Sequence, residues 1–107
     1  MDMMGRDIQE ITSKIIKEFN PQKVVLFGSH AWGSPKKNSD IDLFIVKDDA
    51  KKNTREMAID LERILSDRDG PLDILVYKPS QIEERLVMND PFIVKIWHDG
   101  EVLYERQ

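Results

Sequence analysis

Three short runs of aliphatic, β-branched and aromatic residues constrain this chain most: KVVLF at 23–27, DIDLFIV at 40–46 and LDILVY at 72–77. Runs of this length bounded by Gly, Pro, Asn or Asp read as buried strands. The stretches around them have a different period. Over 5–19, apolar residues fall at Ile8, Ile11, Ile15, Ile16 and Phe19, the spacing of one helical face. Asn20-Pro21 stops that helix, because the residue before proline is pushed out of the αR region. Asn53-Thr54 caps a helix through about Leu65, with Met57, Ala58, Leu61, Ile64 and Leu65 on its apolar face. Residues 67–71 (DRDGP) read as a turn. Pro79-Ser80 starts a helix carrying Ile82, Leu86 and Val87, with proline at a permitted first-turn position. Asp90-Pro91 starts another through Ile96 and Trp97, and His98-Asp99-Gly100 reads as a turn into a last strand, Val102-Leu103-Tyr104. Strands separated by helices of these lengths predict an α/β fold, a small mixed sheet flanked by helices.

The 107 residues predict one domain, 1–107, with no repeat or linker-like stretch dividing it. A chain of this size buries roughly 65% of the surface its unfolded form exposes, enough for one core. No apolar run approaches the ~18 residues of a membrane span. The opening Met1-Asp2-Met3-Met4 is not the start of a signal peptide. Without cysteine, disulfides, thiolate zinc sites and Cys nucleophiles are excluded. The net charge of −4 argues against broad, charge-driven nucleic-acid binding, which needs a basic face. The expectation is a soluble cytoplasmic domain.

The informative stretch is Gly28-Ser29, ten residues, then Asp40-Ile41-Asp42. Side chains alternate along a strand, so Asp40 and Asp42 point one way and Ile41 and Leu43 the other. Two carboxylates crowded beside Leu43-Phe44-Ile45-Val46 repel each other and resist burial. A divalent cation removes that penalty, and hard oxygen ligands suit Mg2+ bridging carboxylates to phosphates. Taken alone, the pair also reads as a turn aspartate capping its strand beside a solvated one. A glycine closing a strand lets the chain turn sharply and brings backbone N–H groups close to an anion. If a short helix follows, its first amides and the Ser29 hydroxyl form a phosphate cradle. Alone, this pair reads equally as a plain tight turn. Together, the two features set an anion site beside a cation site, the pairing that a nucleoside triphosphate with Mg2+ needs. Asp73 interrupts the apolar run Leu72, Ile74, Leu75, Val76 and is the candidate third carboxylate, although it could also begin its strand at a wet edge.

These residues resemble the signature of the DNA polymerase beta-like nucleotidyltransferase superfamily. More narrowly, the chain resembles its minimal stand-alone branch, which includes antitoxin partners of HEPN-domain toxins. The resemblance covers nearly the whole chain. It implies that Gly28 and Ser29 bind the triphosphate, that Asp40 and Asp42 bind Mg2+, and that Asp73 completes the catalytic and metal site. Many members carry arginine directly after the Gly-Ser pair, where this chain has His30, a weaker phosphate partner when neutral. Trp32 in the same loop could stack on a base or a partner, or pack beneath the loop. Lys36 and Lys37 could steer a triphosphate, or simply be solvated. Trp97 and His98 read as core or interface.

The resemblance implies an enzyme that transfers AMP from ATP onto a hydroxyl, a tyrosine of a partner HEPN toxin, and so acts as an antitoxin. With about 65 residues after Asp42, the chain reads as able to bind a nucleotide while leaving the acceptor to a second protein. Two alternatives stay open: a small-molecule nucleotidyltransferase subunit with a separate substrate-binding protein, and a non-catalytic nucleotide-binding interaction module. Three aspartates favour catalysis, and His30 favours binding alone.

Overall fold

The first helix, α1 (Met3–Phe19), turns Ile11, Thr12, Ile15 and Phe19 inward, as its apolar period requires. It begins two residues earlier than its apolar period predicts. The computed structural model describes residues 3–28, 31, 41–67 and 72–106, with side chains from residue 8 onward. The buried Thr12 hydroxyl donates to the Ile8 carbonyl at 2.6 Å, which removes the cost of burying it. α1 ends at Asn20, whose φ of +53° is the left-handed conformation common after a helix. Two distant cations satisfy its end. The Lys47 ammonium donates to the carbonyls of Phe19 (2.8 Å) and Asn20 (3.1 Å). The Arg106 guanidinium donates to the Asn20 carbonyl at 2.7 Å and to its Oδ1 at 2.8 Å. Both cations favour the negative end of the helix dipole.

Four strands follow the expected order. They are β1 (Lys23–Phe27), β2 (Ile41–Val46), β3 (Leu72–Tyr77) and β4 (Glu101–Glu105), arranged β3-β2-β1-β4. β1 pairs antiparallel with β2 and with β4, and β2 pairs parallel with β3, so the sheet is mixed. A parallel pair needs a crossover. α2 (Thr54–Ile64) supplies it, opened by a capping box in which Glu56 N–H donates to Asn53 Oδ1 (2.8 Å) and Asn53 N–H donates to Glu56 Oε1 (3.1 Å).

The alternation of β-strand side chains separates two apolar layers. Val24, Leu26, Ile41, Leu43, Ile45, Leu72 and Val76 face α1 and α2, meeting Ile11, Ile15, Phe19, Met57, Leu61 and Leu65. Val25, Phe27, Phe44 and Val46 face the other way, toward α3 (Pro79–Val87) and α4 (Pro91–Asp99), meeting Ile82, Ile93 and Ile96. On that second face Phe44 stacks on Tyr77 at 5.0 Å and meets Trp97 edge-on at 6.4 Å. The Lys23 ammonium lies 4.1 Å from the Trp97 ring centroid.

Two sequence expectations shift at the C-terminal end. α4 continues through His98 and Asp99, which the sequence reads as a turn, and His98 is exposed. Its first turn is capped by Asp90, which accepts from Phe92 N–H at 3.0 Å. The turn narrows to Gly100, where a Cβ would lie 2.5 Å from both the Ile96 carbonyl and Val25 Cγ1. A larger residue cannot bring β4 this close to β1. Among the described residues, no helix is long and apolar enough to cross a membrane.

Candidate active site

The second face of the sheet is apolar between two polar ends, with Lys23 paired to Glu105 at one and carboxylates at the other, where the site lies. There Phe27 on β1, Asp42 on β2 and Asp73 on β3 form a row across three adjacent strands: Phe27 pairs with Asp42, and Asp42 pairs with Asp73. Neighbouring strands lie about 4.8 Å apart, so the two carboxylate-bearing positions sit side by side. Their parity matches Phe44 on β2 and Leu75 on β3, which belong to the α3/α4 layer, so both aspartates belong to that face. Asp42 is half-buried and Asp73 exposed, the first in the sheet interior and the second on its edge strand.

β1 ends at Gly28, with φ of +78°. A Cβ at this position would collide with Asp42 Oδ2. The backbone conformation favours glycine, and any side chain here would also push the Asp42 carboxylate aside. The chain turns at once, with the Ala31 amide donating to the Gly28 carbonyl at 3.0 Å. Ala31 packs on the α1/α2 layer. The turn after β1 is thus pressed against the β2 carboxylate.

Of the five residues singled out in the sequence, Gly28, Asp42 and Asp73 are brought to one end of one face. Ser29 and Asp40 lie outside the described residues, as do His30, Trp32, Lys36 and Lys37. Among the described residues no cluster of three acidic, His or Cys side chains forms. The pair that is described offers hard oxygen donors on neighbouring strands beside a glycine turn, a donor set that fits Mg2+ shared with phosphate oxygens. One further residue at this end carries no sequence signal. Phe92, in the first turn of α4, is 49% exposed and meets Phe27 edge-on, ring centroids 5.8 Å apart and planes at 86°. Its position depends on which helix packs over the end of β1, which local periodicity does not encode.

The sequence matches the family Polymerase beta, Nucleotidyltransferase over residues 9–107, and the chain belongs to that family. The fold agrees. The crystal structure of a candidate nucleotidyltransferase from Sulfolobus solfataricus superposes with a TM-score of 0.67 at 20% identity, over 94% of this chain and 79% of that one. Two crystal structures of variants of the toxin–antitoxin pair MntA-HpeT give TM-scores of 0.52 and 0.53 at 19% and 20% identity. They cover 92% and 94% of this chain and 73% of theirs. At these identities the likeness is one of fold. No curated protein matches the sequence.

Proposed function

We propose that this chain is a Mg2+-dependent nucleotidyltransferase that moves AMP from ATP to a hydroxyl of a partner protein, a tyrosine of a HEPN-domain toxin, and thereby acts as its antitoxin. The observation that carries the reading is the register of Asp42 with Asp73, with the Gly28 turn held against Asp42. Family membership supports the reaction class, and the fold shared with the MntA-HpeT pair supports a toxin as partner.

In this reading the turn at Gly28 and Ser29 binds the triphosphate through backbone amides and the serine hydroxyl. Asp40, Asp42 and Asp73 would hold the cation. Bound there, Mg2+ neutralises charge on the triphosphate and lowers the pKa of the attacking hydroxyl. Asp73, on the exposed edge, faces the incoming acceptor and takes up the hydroxyl proton, which it then releases to solvent. The hydroxyl oxygen forms a bond to the α-phosphorus, the α–β bridging P–O bond breaks, and pyrophosphate leaves. Holding acceptor and nucleotide together supplies roughly 7–11 kcal/mol of such a barrier. The docked partner provides that alignment, because Asp73 lies exposed on an edge strand of the described sheet.

The test is the intact mass of the co-purified partner after incubation with ATP and Mg2+. The partner gains one or more AMP units, and chelator abolishes the gain. Label on a small molecule at a high rate without any partner contradicts this reading.

A further inference from the structure

We infer that Phe92 is the platform on which the nucleobase of the bound nucleotide stacks. The inference rests on the nucleotidyltransferase reading above and adds to it where the base lies. The strand order sets two sides to the site. Asp42 lies in the middle of the row, Asp73 lies on the edge strand β3, and Phe27 and the Gly28 turn lie on β1. A triphosphate held between the Gly28 turn and Asp42 occupies the β1 side, while an acceptor reaching Asp73 comes over the β3 edge. Phe92 belongs to the nucleotide's side, because its ring rests on Phe27, one position before Gly28 and paired with Asp42.

The ring is also in the right state to bind. The edge-on contact with Phe27 fixes its plane while 49% of the residue stays open to solvent. The helix beneath it is anchored, with Asp90 capping the first turn through the amides of Phe92 and Ile93 and with Ile93 fully buried. A half-exposed aromatic on a fixed backbone loses little freedom when a flat ligand settles on it. Every base has a π-face, so stacking contributes affinity without demanding one base.

The experiment measures binding of two probes in Mg2+, ATP and inorganic tripolyphosphate, by calorimetry on the wild type, Phe92→Leu and Phe92→Tyr. Leucine keeps apolar packing on Phe27 and removes the ring. Phe92→Leu should weaken ATP about 5- to 150-fold, the range of a lost base–aromatic stack, and leave tripolyphosphate unchanged. Phe92→Tyr should bind ATP nearly as the wild type does. Unchanged ATP affinity in Phe92→Leu overturns the inference. So does an equal loss of both probes, which marks a structural role, or an equal loss of ATP affinity in Phe92→Leu and Phe92→Tyr. If the wild type binds neither probe, the nucleotidyltransferase reading itself fails, an outcome distinct from all the others.

Discussion

At position 28 the left-handed φ and the neighbouring carboxylate act together, and the two effects separate in experiment. Gly28→Ala forces an L-residue into a conformation costing about 1–2 kcal/mol, and its methyl displaces the Asp42 carboxylate. The expected outcome is a lower urea midpoint together with loss of Mg2+-ATP binding. An unchanged midpoint would mean that the turn relaxes without strain. The aspartates behave in the opposite sense. Asp73 is exposed on the edge strand beside a like-charged position, so Asp73→Asn should hold or raise the melting temperature without metal, while Asp42→Asn is read by transfer. Both should abolish transfer. Asp73→Asn transferring at the wild-type rate would remove Asp73 from the proposed site.

Each helix depends on a few end groups, and these set the predictions at the scale of elements. Asn53→Ala removes the capping box of α2 and should destabilise the protein by about 0.5–2 kcal/mol, read from chemical denaturation. α1 and the end of α2 are joined by Lys14, whose ammonium donates to Asp67 Oδ1 at 2.7 Å. That hydrogen bond, with the lysine's charge, holds the Asp67 carboxyl below its ordinary value. A carboxyl lowered in the folded state contributes stability above its unfolded pKa of about 3.9, and loses it as pH falls through the folded value. Lys14→Met should therefore flatten the dependence of stability on pH below about pH 4, and have a small effect at neutral pH because the pair is exposed. An unaltered acid limb would show that the pair contributes nothing. The elements themselves were largely legible. KVVLF, the 41–46 part of DIDLFIV, and LDILVY form strands because short β-branched runs bounded by turn residues have no competing helical period. The clamp of Lys47 and Arg106 on the end of α1 was not legible, since its partners are 27 and 86 residues apart in sequence. The extension of α4 to Asp99 was not legible either: His98-Asp99-Gly100 has turn composition, yet the helix runs to Asp99 and the Gly100 amide donates to the Ile96 carbonyl. For the site, the sequence pattern named Asp42 and Asp73, but their adjacency needed the parallel pairing of β2 with β3, a non-local fact.

At the scale of the molecule, the two layers divide the work. Among the described residues, thirteen buried side chains close the α1/α2 face. The α3/α4 face is apolar along the middle of the strands, with the Lys23–Glu105 ion pair at one end and Asp42 and Asp73 at the other, beside a glycine turn and an edge strand. In the proposed reading the nucleotide takes the β1 side and the acceptor comes over β3. The proposed acceptor therefore belongs to a partner protein docked over β3. The most direct measurement is transfer of label from α-labelled ATP in Mg2+, run on the isolated chain, on the chain with its partner, and on Asp42→Asn with its partner. Label is expected on the partner only, and only with the unaltered chain. Tight binding of the partner with no label on it, while Mg2+-ATP is bound, would contradict the proposed transfer and identify the chain as a module that neutralises its partner by binding alone.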